Sequence, residues 1–130
     1  MNRRSTPEAD AQRAIVQSLR VALPRDAIVH HCANEVTEAG FHGQIRQSIL
    51  VGMGVHTGFA DLIVISGGRV LFLEVKSQTG RLRKSQEVFR YAVCAQGFGW
   101  ALVRSLDDAL GALADHGFTS RVRPVRRAAP

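Results

Sequence analysis

Two short apolar runs, Leu62–Ile65 and Val70–Val75, flank the pair Gly67–Gly68. Runs of this length, rich in Val, Ile, Leu and Phe and split by a Gly-Gly dipeptide, predict a β-hairpin. With the glycines as its turn, Ser66 faces Arg69, Ile65 faces Val70, and the same count carried on sets Asp61 opposite Glu74. Most other members of both strands are apolar on both faces, the pattern of a sheet covered on its two sides.

The rest of the chain falls around this hairpin. Thr6-Pro7-Glu8 opens a helix, with Thr as N-cap, Pro at the first helical position and acids in the first turn. Ala11, Ile15, Leu19 and Ala22 give it one apolar stripe, and it ends at Leu23 because Pro24 disfavours helical geometry just before itself. Residues 27–33 (AIVHHCA) predict a strand on which His30 and His31 face opposite sides and so cannot chelate one ion together. Asn34-Glu35 closes it, and Glu35 reads as a solvated turn carboxylate before a site residue.

Phe41, Ile45, Ile49 and Met53 recur every fourth residue and predict a helix over about 41–53, with Arg46 and Gln47 on its polar side. The glycine-rich stretch from Gly52 to Gly58 meets neither nucleotide-binding fingerprint, and its reading is a tight turn into the strand that carries Asp61. A polar, basic loop follows the hairpin and holds Gly80, Arg81, Arg83 and Lys84. Gln86 then stands in the first turn of a helix, packed through Val88, Phe89, Ala92 and Val93 and stopped by Gly97; Tyr91 is expected to pack. Trp100–Val103 predicts a strand, and Ser105 caps a last helix through Leu110 and Leu113.

This order implies a single α/β domain with a mixed central β-sheet flanked by helices. The domain spans residues 1–118, and residues 119–130 form a basic C-terminal tail with Arg121, Arg123, Arg126 and Arg127. Either a basic arm on nucleic acid or a solubilising end fits that tail.

Composition changes the picture in one respect. The 130 residues are 45% hydrophobic and 22% charged, ordinary for one globular domain, but the net charge is +6. Only two of the seventeen basic residues are lysines, and arginine favours forked contacts to phosphate. A polyanionic partner, nucleic acid first, stands at nearly even odds with plain surface charge. No apolar run approaches the ~18–20 residues of a membrane span, and no apolar signal segment opens the chain, so a cytoplasmic protein without a membrane partner is expected. Cys32 and Cys94 lack C-x-x-C spacing and read as small buried residues.

The candidate chemistry sits at the open end of the hairpin. Directly opposed strand residues have Cβ atoms only ~4.5–5.5 Å apart, and like charges there are destabilising. Asp61 and Glu74 therefore need an offset, and a divalent cation supplies one. Glu74 and Lys76 share a strand face, roughly 6.5–7 Å apart, while Val75 points away. Carboxylates suit hard cations such as Mg²⁺ or Mn²⁺, and a lysine beside them can orient a water or neutralise charge building on a phosphate.

At these residues the chain resembles the PD-(D/E)XK nuclease superfamily, whose core is an aspartate followed by (D/E)-x-K. It is closer still to the VRR-NUC branch. The matching stretches are Gly58-Phe59-Ala60-Asp61-Leu62, Glu74-Val75-Lys76, Gly80-Arg81-Leu82 and Gln86 at a helix start, although that branch typically has proline where Ala60 stands. The resemblance implies a restriction-endonuclease-like core and a metal-dependent DNA nuclease with Asp61, Glu74, Lys76 and Gln86 as catalytic residues. It also implies a metal held by Asp61, Glu74 and the Val75 carbonyl. Glu8 matches a glutamate that often reaches the metal in that branch; its other reading is a partner for the helix dipole. Arg81, Arg83, Lys84 and Arg46 are expected to meet the DNA backbone, a contact that positions without reading sequence. Homodimers and structure-selective, junction-type endonuclease action are further implications. The competing expectation is a nucleic-acid-binding module that keeps the fold and does no chemistry.

Overall fold

In the computed structural model, which describes residues 6–33 and 40–122, the chain begins with the capped helix its sequence announces. The Thr6 hydroxyl accepts from the Ala9 amide, Pro7 occupies the first turn, and α1 runs over Pro7–Ala22 before turning extended at Leu23. There follow β1 (Ile28–His31), α2 (Gly40–Gly52), β2 (Leu62–Ser66), β3 (Arg69–Val75), α3 (Lys84–Ala95), β4 (Gly99–Val103) and α4 (Leu106–Asp115). The Ser105 hydroxyl caps α4 by accepting from the Asp108 amide.

The four strands form one sheet in the order β1-β2-β3-β4, antiparallel except for the parallel β3–β4 pair. That mixture follows from the connections. A two-residue turn, with φ of 59° at Gly67 and 76° at Gly68, joins β2 to β3, whereas a helix crosses over between β3 and β4. The hairpin register is the one the glycines dictate, Ser66 on Arg69 through Leu62 on Leu73.

Alternation along the strands sorts side chains between the two faces. Leu62, Val64, Leu71, Leu73, Val75 and Val103 pack on α1 and α4 through Ile15, Leu19, Leu110 and Leu113. On the opposite face a smaller cluster gathers Ala60, Phe89 and Trp100, with Phe59, Phe72 and Val93 against it. Full burial of each large apolar side chain contributes about 1.5–3 kcal/mol. The fold is therefore a single small α/β domain with a four-stranded mixed sheet and four helices. No helix among the described residues is long and apolar enough to cross a membrane.

One helix takes an orientation its pattern does not announce, and two expectations need correction. The α2 stripe does not face the domain: Phe41 is 73% exposed and Met53 78%, with Ile45 and Ile49 exposed between them. Tyr91 is exposed rather than packed, because Phe89 is the α3 residue that turns onto the sheet. Cys94 is exposed as well, and only Cys32 is buried. Burial first, and then the Asp61 charge, push the Cys32 thiol upward. A reagent for thiols is therefore expected to modify Cys94 rapidly and to leave Cys32 intact in the folded chain. Mass spectrometry of alkylated peptides checks this, and equal rates at both cysteines would contradict it.

The start of the basic tail is also tied down. The Arg121 amide donates to Ala22 O at 2.7 Å and its guanidinium to Leu23 O at 2.8 Å. These bonds satisfy carbonyls left over at the α1 C-terminus. Arg123, Arg126 and Arg127, like Glu35, lie outside the described residues.

Candidate active site

One step beyond the Leu62–Leu73 pair, the hairpin brings Asp61 and Glu74 together at the end of β2 and β3. Both carboxylates are nearly buried, Asp61 at 5% exposure and Glu74 at 1%, and Lys76 beside them is 7% exposed. Charged groups buried this deeply require partners, and the backbone supplies some of them. The Asp61 carboxylate Oδ2 accepts from the Val75 amide at 2.8 Å, and the backbone carbonyl of Asp61 accepts from the Cys32 amide. The first bond turns the Asp61 carboxylate across the hairpin onto β3.

Glu74 is held from α3. Its Oε1 accepts from Gln86 Nε2 at 2.8 Å and lies 3.9 Å from Lys76 Nζ. The lysine contact is longer than a tight charge-assisted hydrogen bond, so the pair is loosely joined. Gln86 has a second task. Its Oε1 accepts from the Arg83 amide at 2.9 Å, closing the first turn of α3, so one side chain ties the helix start to Glu74. Lys76 continues the β3 line, its amide donating to Val103 O.

Gly58 brings the Asp61 segment and the α3 start into contact. Its φ is +80°, and a Cβ there would fall 2.2 Å from Ser85 O and 2.9 Å from Gln86 N. Only a glycine allows the loop before Asp61 to lie this close to the backbone that carries Gln86.

These groups border a cavity of about 730 Å³. Asp61, Lys76, Gln86, Glu8 and Arg83 all line it, so α1 delivers Glu8 to the same space as the hairpin residues. Glu74 stands just behind the wall. Arg81, Lys84 and Arg46 do not line it. Lys84 is the first residue of α3 and Arg83 its N-cap, so the basic loop is shorter than the sequence predicts. Cations at a helix N-terminus oppose the helix dipole, which is why this start is poorly marked in the sequence.

Sequence reasoning did not single out Gly40, Gly43 and Gln44, which line the cavity together with Gln47. Their spacing (i, i+3, i+4, i+7) marks one helix face. The apolar stripe lies on the other side of this helix, exposed. The Cys32 thiol also borders the cavity. Burial and the Asp61 charge push its pKa further up.

No protein-family model matches the sequence, and no curated protein matches it either. Among solved structures, a chain described as a VRR_NUC domain protein superposes with a TM-score of 0.66. The match covers 88% of this chain and 90% of that one at 16% sequence identity. The two chains thus share a fold, with the sheet and helices in corresponding places.

Proposed function

We propose that the chain is a divalent-metal-dependent nuclease of the PD-(D/E)XK type that hydrolyses phosphodiester bonds in DNA, acting as a structure-selective endonuclease on junction-type substrates. The observation that supports it most is the meeting of nearly buried Asp61 and Lys76 at one wall of a cavity, with buried Glu74 joined to Lys76 and Gln86 behind it. The fold shared with a VRR_NUC domain protein agrees with this reading.

The donor set fits a hard cation. Asp61 and Glu74 offer only oxygen, the donor that hard cations take. Among the described residues no three His, Cys, Asp or Glu side chains are grouped as a metal cage. Mg²⁺ keeps several waters and uses one or two carboxylates together with substrate phosphate. Asp61 and Glu74 would hold Mg²⁺ or Mn²⁺, with the Val75 carbonyl and Glu8 as further ligands. When bound, the cation would acidify a coordinated water and offset charge on the phosphoryl oxygens.

The remaining roles belong to the chain itself. Lys76 presents its ammonium to the cavity, where it orients the attacking water and neutralises charge developing on the phosphate. Gln86 fixes the Glu74 carboxylate through its 2.8 Å hydrogen bond. Arg83 on the wall, with Arg81 and Lys84 beyond it and Arg46 on α2, would meet the DNA backbone. A homodimer belongs to the same reading, since a second copy would cover the exposed α2 stripe. Its check is the mass in solution, and a strictly monomeric chain would remove it.

A binding module of the same fold is the competing reading, and it draws support from Glu74 lying behind the cavity wall. The two separate on a panel of labelled DNAs (hairpin, flap, nick and four-way junction) incubated with Mg²⁺, Mn²⁺ or EDTA. Metal-dependent products are expected, reduced by about 10²–10³ in Lys76→Ala. Binding without cutting, the same for both proteins, would leave the module.

A further inference from the structure

Lys76 has four rotatable side-chain bonds, yet its proposed work needs the ammonium held in one place. The loop that follows it packs along its stem. A Cβ built on Gly80 would lie 3.4 Å from both Lys76 Cβ and Lys76 Cδ, and 3.2 Å from Ser77 Oγ. The loop is folded on itself, with the Gly80 amide donating to Ser77 O and Ser77 Oγ.

What fixes this loop to the domain comes from β4. Arg104 Nη1 donates to Ser77 O at 2.5 Å and to Gly80 O at 2.6 Å, bridging the two ends of the Ser77–Gly80 turn. Short bonds from a guanidinium are charge-assisted and stronger than neutral ones. Arg104 is itself anchored. Its amide donates to Asp108 Oδ2 at 2.9 Å at the start of α4, and its carbonyl accepts from Gln78 Nε2. The parallel pairing of Val75 with Val103 sets Lys76 and Arg104 side by side at the ends of β3 and β4. Arg104 does not border the cavity that Asp61, Lys76 and Gln86 share.

We infer that Arg104 is a positioning residue: it staples the Ser77–Gly80 loop over the Lys76 stem and thereby holds the Lys76 ammonium at the candidate active site. The inference rests on the nuclease reading for its catalytic consequence and on geometry alone for the staple. A displacement of about 1 Å by a change away from the chemistry can cost on the order of 10²-fold in rate. An arginine outside the cavity can therefore govern turnover without touching substrate.

The two-lysine sequence makes a clean test. Reductive methylation followed by peptide mass spectrometry compares nearly buried Lys76 with exposed Lys84 in the same molecule. In Arg104→Gln the labelling of Lys76 relative to Lys84 is expected to rise about tenfold as the loop opens locally, while Cys32 stays protected from alkylation as the control for an intact fold. For metal-dependent cleavage, kcat is expected to fall by about 10–100-fold with KM little changed, and Arg104→Lys is expected to recover part of the loss.

An unchanged Lys76 to Lys84 ratio in Arg104→Gln would overturn the staple. Raised KM with unchanged kcat would overturn the positioning role in favour of direct substrate contact. If wild type cuts no DNA with any metal, the nuclease reading falls while the labelling ratio still decides the staple. If Arg104→Gln does not fold, Arg104→Lys takes its place, with a smaller rise in Lys76 labelling expected and a ratio equal to wild type overturning the staple.

Discussion

Asp61→Asn is expected to remove metal-dependent cleavage while leaving the fold intact. The amide oxygen of asparagine can still accept from the Val75 amide, the bond that Asp61 Oδ2 makes at 2.8 Å. The hairpin end therefore keeps its hydrogen bond and loses only a negative charge. Removing one electrostatic partner of a transition state costs about 10²–10³ in rate, and loss of a metal ligand belongs at or above that range. Asp61→Ala separates the two roles. It also leaves the Val75 amide without its acceptor in a nearly dry place, a further cost of about 1–3 kcal/mol in stability. Steady-state cleavage and urea denaturation of both variants check the pair. Full activity in Asp61→Asn would remove Asp61 from the chemistry.

Gly58→Ala is expected to be the most disruptive glycine-to-alanine change among the described residues. The backbone there has φ of +80°, and the added methyl carbon would fall 2.2 Å from Ser85 O. A left-handed residue with a Cβ costs roughly 1–2 kcal/mol, and forcing an atom into a packed contact typically costs about 1–3 kcal/mol more. The atoms in the way are backbone, so no rotamer change can relieve the overlap. Something has to move, and the nearest candidate is the start of α3, which carries Gln86 and through it the grip on Glu74. Stability should fall by about 2–5 kcal/mol, the sum of those two terms, and cleavage by the surviving folded fraction should fall with it. Denaturation midpoints close to wild type would show that the loop and α3 are not in the contact described.

How much of this was legible in the sequence differs from element to element. The hairpin was readable to the residue, because a Gly-Gly turn leaves one register open and that register places Asp61 opposite Glu74. Both capped helices, at Thr6 and Ser105, were readable because their signals are local. The α2 helix was legible as a helix but not in its orientation. Its glycine and glutamine face lines the cavity it shares with Asp61, Lys76 and Gln86, so the apolar stripe that normally marks the inside points to solvent. Periodicity gives the helix and not the side that is buried. The start of α3 was obscured by Arg83 and Lys84, residues that favour the other end of a helix, and it rests instead on the Gln86 hydrogen bond to the Arg83 amide. The Arg104 staple joins residues 24 and 27 positions apart through a side chain and two carbonyls, and no local pattern records such a bond.

A cation held by Asp61 and Glu74 is the centre of the proposed chemistry, and titration of Mn²⁺ followed by electron paramagnetic resonance, without DNA, tests it most directly. Wild type is expected to take up Mn²⁺, and Asp61→Asn to show a large loss of that uptake at equal protein concentration. Indistinguishable titrations of the two proteins would contradict the central claim, whatever the chain binds or cuts.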